Sequence, residues 1–171
     1  TNFSVSRTPD INSASVLTDG LYASTFSSRD PYWMGYKYSG SQNNHVTMEF
    51  DLYSPASVSQ IILSSKYDSA RNVTIPQNLT LSVANGQGQW IKLKDFSDFQ
   101  PSDASSVKMT WDSVEDAFEP VKEGAATLYV QKIRLEFDIP MSGDAVAIDE
   151  VKIIGVYGER SDASEPIYRD E

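Results

Sequence analysis

The densest chemistry in this sequence lies between Asp19 and His45. Asp19-Gly20 is a turn dipeptide whose carboxylate can hold a cation. Further on, the run from Arg29 to Tyr38 (RDPYWMGYKY) sets four aromatic rings among charged and small residues, and His45 stands at the exit of the next loop. Rings flanked by charged and amide groups have the chemistry to bind a sugar. The rings stack on its apolar C–H faces, and the polar groups take its hydroxyls. The same rings would also serve to plug the end of a β-sandwich, since large aromatics are mostly buried. The sequence leaves both uses open for Tyr32, Trp33, Tyr36 and Tyr38, with Arg29 and His45 as polar neighbours. Trp90 and Trp111 fall in strand patterns and read as core or hairpin packing.

The elements that would position these groups are strands. In His45 to Leu52, Val46, Met48, Phe50 and Leu52 alternate with Thr47, Glu49 and Asp51, the period-two mark of a half-buried strand. Strand patterns recur at Val58–Ser65, at Leu79–Val83 with a return arm Gln89–Leu93 across Asn85-Gly86, at Val107–Trp111, at Ile133–Ile139 and at Val146–Gly155. Phe3 and Val5 suggest an entry strand. No stretch keeps helical spacing, and Ser113 to Phe118 would give one turn at most. This pattern predicts an all-β antiparallel β-sandwich. One module is expected over residues 1–158, followed by a polar acidic linker or tail over 159–171.

The 171 residues suffice for one domain with a real core, and 40% apolar content argues for a folded globule. A formal net charge of -10 disfavours a nucleic-acid partner, since phosphate binding needs a basic face. No apolar run reaches the length of a membrane span, so no membrane insertion is expected. With no cysteine there is neither a disulfide framework nor thiolate chemistry. The chain opens on Thr1, which reads as a mature protein or an excised module. Catalysis finds little support: His45 is the one histidine, no Gly-x-Ser-x-Gly elbow accompanies it, and no carboxylate pair stands in a recognisable setting.

Several segments then occur in a suggestive order: Leu17-Thr18-Asp19-Gly20, Phe50-Asp51-Leu52, the run from Leu79 to Trp90 (LTLSVANGQGQW), Ile133-Arg134-Leu135-Glu136-Phe137, and the run from Asp149 to Gly155 (DEVKIIG). Together they resemble the discoidin or coagulation-factor type C domains of the galactose-binding-like superfamily, which includes the family 32 carbohydrate-binding modules of bacterial secreted proteins. The resemblance spans roughly residues 2 to 158. It departs from the family at Tyr53, where a glycine is usual, and at Phe26, where a tryptophan is usual. It also lacks the disulfide of vertebrate members, which favours a bacterial module.

The resemblance implies a jelly roll with a structural calcium ion held by Asp19, by the hydroxyl of Ser24 or Thr25, by Glu150 opening the last strand, and by backbone carbonyls. In such a jelly roll the loop Lys66–Asn72 could line the same end as the aromatic run, and its Asp68, Arg71 and Asn72 are suited to gripping hydroxyl pairs. The expected function is a non-catalytic carbohydrate-binding module. Its partner would be a polysaccharide or glycan, alongside other domains of the same parent chain, in an extracellular or cell-surface setting. The alternative is a protein–protein or cell-surface interaction domain on the same fold.

Overall fold

The computed structural model describes residues 2–18, 20, 32–84, 87–101, 106–113, 115–116, 128–143 and 145–157. The expected tail from 159 onward lies outside the described residues. Nine strands appear among them: β1 (Asn2–Val5), β2 (Met34–Tyr36), β3 (His45–Ser65), β4 (Val73–Thr74), β5 (Gln77–Ala84), β6 (Trp90–Asp95), β7 (Val107–Asp112), β8 (Leu128–Asp138) and β9 (Ala145–Tyr157). The only helical pieces among the described residues are short 3₁₀ turns at Ala14–Thr18 and Ser69–Arg71.

The strand β3 organises the sandwich. Its first half pairs with β1 on one edge and β8 on the other, and β5 and β6 extend that side beyond β8. Its second half pairs with β7 and β9, and β2 extends that side beyond β9. The two halves meet at a register shift between Asp51 and Ala56. Two strands with Pro55 between them are expected from the sequence; the chain instead stays extended through Tyr53-Ser54-Pro55 as it crosses from one sheet to the other. A proline fits there because its missing N–H costs no ladder bond where pairing is interrupted. At about 3.3 Å per residue a straight strand of this length would span about 70 Å. Only a folded-over strand lets both of its ends join one compact core.

The core fills the space between the sheets. Val46, Met48 and Phe50 from β3, Leu79, Leu81 and Val83 from β5, and Ile133, Leu135 and Phe137 from β8 face Ile61, Leu63, Met109, Trp111 and Ile148. Tyr36 from β2 meets Phe137 from β8 edge-on, with ring centroids 5.8 Å apart. Among the described residues all ladders are antiparallel except that of β4, which runs parallel to the start of β9. Trp111 is fully buried, as its strand pattern implied. The strands β2 and β4 are too short to show a period, and the sequence reads the first as part of the aromatic loop.

One end of the sandwich gathers several connections. Asp138 at the end of β8 pairs with His45 at the start of β3. Seven residues later Ala145 begins β9 and pairs with Val73 of β4, whose chain leads at once into β5 at Gln77. Lys66, just beyond β3, donates its backbone N–H to the Ala147 carbonyl at 2.9 Å. The loops after β2, β3 and β8 therefore share this end.

Candidate functional site

The aromatic run divides between interior and surface. Trp33 is 4% exposed and Tyr36 0%, whereas Tyr32 and Tyr38 are 41% and 43% exposed. A stacking platform built on Trp33 and Tyr36 is thus corrected. Tyr36 lies between the sheets, with its hydroxyl donating to the Arg7 carbonyl at 2.8 Å. Burial pushes the phenol's pKa up to about 12 despite the opposing charge of Arg7. The Arg7 side chain, itself buried, holds Asp10 by a 2.9 Å ion pair and bonds the Lys37 carbonyl and Asn44, so the entry segment is locked to the loop after β2.

Trp33 packs with Ile11, Val73 and Ala147 in a small separate cluster. A Cβ on Gly35 would come within 2.8 Å of the Trp33 ring, so glycine is what lets the indole pack this close to β2. Because Val73 closes the Lys66–Asn72 loop, Trp33 supports that loop from beneath. The contact between the two segments is thus one of buried packing, made by Trp33 with Val73 just past the loop.

In the loop itself, Asp68 caps the 3₁₀ turn: its carboxylate accepts the Arg71 N–H at 3.2 Å, and the Arg71 guanidinium lies 3.6 Å away. Asn72 takes the left-handed conformation (φ 54°) that ends the turn and is solvent-exposed, as is Arg71. Arg71 and Asn72 are therefore exposed where a ligand could meet them, with Arg71 also ion-paired to Asp68, which shapes the turn.

Tyr38 borders a tight crease with Thr74, Pro140, Ser142 and Gly143 that has no room for a water molecule. A Cβ at Gly143, whose φ is 111°, would meet Thr74 at 3.1 Å and the Asn72 carbonyl at 3.2 Å. Glycine there allows the β8–β9 loop to lie against the loop ending at Asn72. Tyr38, Asn72 and Ser142 thus share one surface, while the Thr74 hydroxyl is buried. Thr74, Ser142 and Gly143 are missing from the sequence-level reading. The turn cluster Met141-Ser142-Gly143 between two strand patterns is the signal that could have drawn attention to this loop.

His45 also stands at this end, exposed, with Nδ1 2.8 Å from Asp138 Oδ1 and Nε2 3.3 Å from Glu136 Oε1. Both ring nitrogens face carboxylates, so the only histidine has no nitrogen turned to a serine nucleophile. The bond to Asp138 raises the His45 pKa; burial opposes it, and Glu136 adds to the rise. Burial pushes the Asp138 carboxyl up, but bonds from His45 and Asn78 outweigh it and leave its pKa lowered. The His45 contribution to stability is present below its unfolded value and is lost as pH rises through the raised folded value; that of Asp138 is present above its unfolded value and is lost as pH falls. Stability from this pair therefore peaks between about pH 4 and pH 6.5. Solvent screening keeps it to about 0.5 kcal/mol. His45→Gln should flatten the change in urea midpoint between about pH 5.5 and pH 8.5; an unaltered slope would remove His45 as its source.

For the expected metal set, Asp19, Ser24 and Thr25 lie outside the described residues, as does Arg29 of the ligand set. Glu150 is 5% exposed, and its Oε2 accepts the backbone N–H of Gly20 at 3.1 Å, across 130 residues of sequence. The glycine holds φ at 77°, a turn conformation that other residues rarely take. Among the described residues no three acidic or histidine side chains converge. Glu150 nevertheless fits a cation that would join the Asp19-Gly20 turn to β9: it is a buried carboxylate already touching that turn.

The two-sheet arrangement, with β3 shared and loops gathered at one end, is a discoidin-like β-sandwich fold. Solved structures with this fold include the family 32 carbohydrate-binding module of Clostridium perfringens NanJ in complex with galactose, at a TM-score of 0.58 and 15% identity over 89% of this chain and 91% of that one. A fucose-binding module of Streptococcus pneumoniae matches at 0.55 and 15% over 90% of each chain. The lectin domain of lectinolysin complexed with Lewis B antigen matches at 0.56 and 14% over 90% and 91%. At these identities the likeness is one of fold. No family model matches the chain, and no curated protein matches it significantly in sequence.

Proposed function

We propose that this chain is a non-catalytic carbohydrate-binding module that holds a larger secreted bacterial protein on a polysaccharide or glycan. The observation that carries this reading is the fold, shared over nearly the whole of both chains with a module solved with galactose. The loop end supplies matching chemistry. Tyr38 offers a half-exposed ring, Ser142 offers an exposed hydroxyl, and Arg71 and Asn72 offer exposed donors. A shallow site of this kind binds weakly, and its contribution to the parent protein comes through tethering and multivalency.

The reading includes a structural calcium ion. Glu150 would hold it from β9, with Asp19, the hydroxyl of Ser24 or Thr25, and backbone carbonyls completing an oxygen shell. The contact between Gly20 and Glu150 supports this, because it brings the residue after Asp19 to the last strand. When bound, the ion would supply the positive charge that ties the first loop to β9.

A glycan array read with wild type and Tyr38→Ala, each with and without calcium, tests the site. The expected outcome is specific glycan binding that falls about tenfold in Tyr38→Ala, the scale of one lost aromatic contact. An array with no binding, together with capture of a protein ligand by the same loop end, would favour the protein-interaction alternative.

A further inference from the structure

The same fold leaves a second polar surface that the loop-end site does not use. On the outer face of the first sheet the register aligns side chains in rungs. Asn2 pairs with Asp51 and Asp51 with Lys132; one rung along, Ser4 pairs with Glu49, Glu49 with Arg134, and Arg134 with Ser82. The rungs face outward because the alternate residues of β3 and β8 fill the core.

Trp90 begins β6 and is half-buried at this face. The Arg134 guanidinium lies 3.9 Å from the centre of its ring. Arg134 is in turn fixed by Glu49, with Nη2–Oε1 at 2.6 Å and Nε–Oε1 at 3.0 Å. One aromatic ring is thus held in place by a charge-assisted pair on the neighbouring strands, which removes the ordering cost a loose ring would bring to binding.

Between Trp90 and β1 lies a groove of about 240 Å³, lined also by Asn2, Ser4, Glu49, Asp51 and Lys132. It shares Ser4 and Glu49 with a second hollow of about 380 Å³, bordered by Ser6, Thr47 and Arg134. The two form one track across the sheet, of the size range of ligand clefts. Its charges alternate in sign, Glu49 and Asp51 against Lys132 and Arg134. Neither a polyanion nor a polycation finds a uniform field there. A neutral chain of hydroxyls meets donors and acceptors along its length, and an aromatic ring at one end.

We propose that this outer face is a lateral groove for a neutral oligosaccharide several rings long, with Trp90 as its aromatic wall and Glu49, Asp51 and Lys132 as hydroxyl partners. The class of ligand rests on the glycan reading above; the residues are different, so the two stand or fall separately.

The chain carries a built-in reporter. Trp33 and Trp111 are buried, so Trp90 is the one tryptophan whose indole can meet a ligand at the surface. Titrating the full ¹⁵N-labelled chain with monosaccharides and then neutral hexasaccharides of galactose, glucose and N-acetylglucosamine follows the Trp90 indole signal and the backbone signals of Tyr38 and Ser142 together. The expected result is a saturable Trp90 shift with at least one hexasaccharide, about tenfold tighter than with its monosaccharide. Trp90→Ala and Glu49→Gln should each lower that affinity about tenfold, and Tyr38→Ala should leave it unchanged. If Trp90→Ala loses its dispersed spectrum, Trp90→Phe keeps a ring beside Arg134 and should bind at intermediate strength. A shift of the Tyr38 and Ser142 signals with Trp90 unmoved overturns the groove and leaves the loop-end site standing. A Trp90 shift alone does the reverse, and signals unmoved by every sugar overturn both.

Discussion

Glu150→Gln is expected to abolish any calcium-dependent rise in melting temperature while leaving the fold intact. The glutamine amide oxygen can still accept the Gly20 N–H, but the charge that a hard cation requires is gone. With calcium at about a hundred times its dissociation constant, binding to the folded state alone stabilises by about 2.7 kcal/mol, or roughly 5–10 °C for a chain of this size. In chelator the variant should melt within about 0.5 kcal/mol of wild type, because the neutral hydrogen bond survives. Glu150→Ala goes further. It removes the acceptor as well and leaves Gly20 without that bond, costing about 1–3 kcal/mol more, with or without the metal. The comparison separates the two uses of one side chain. A wild-type melting curve indifferent to chelator would sink the calcium and leave Glu150 as a hydrogen-bonding clasp between the first turn and the last strand.

That clasp was legible in the sequence only as a family pattern. Neither Asp19-Gly20 nor Glu150 carries a local sign of the other, and the contact follows from β9 lying beside the start of the chain. The strands were more legible, because period-two alternation in Val46–Leu52 or Ile133–Ile139 reports a half-buried sheet face directly. The joining of two strand patterns into one β3 was not legible, since a proline and three polar or aromatic residues look like a turn whether or not the chain stays extended. The aromatic run was ambiguous for a different reason. Trp33, Tyr36 and Tyr38 have the same chemistry, and only the pairing of β2 with β9 decides which rings turn inward. Trp90 shows the converse case. Its strand pattern suggested packing, and it does pack, but against an arginine on an outer face where no periodicity distinguishes a groove from plain solvent.

The inward turn of Tyr36 leads to the sharpest mutational contrast. As a core residue it fills the space beside Phe137 and satisfies the Arg7 carbonyl in a buried setting. Tyr36→Ala should therefore cost about 3–5 kcal/mol, the range for deleting a large aromatic from a packed interior. Tyr36→Phe keeps the ring and loses only the hydroxyl. It leaves the Arg7 carbonyl without that donor and should cost about 1–3 kcal/mol. Urea denaturation of both variants measures these losses as shifts in midpoint at constant slope. Tyr38→Ala, at the neighbouring exposed position, should stay within about 0.5 kcal/mol of wild type. Glycan affinity should follow the opposite order: Tyr36→Phe should bind as wild type does, and Tyr38→Ala should lose about tenfold. If Tyr36→Phe kept full stability but lost glycan binding, the ring would be a ligand contact, and the assignment of the aromatic run to core and surface would have to be reversed.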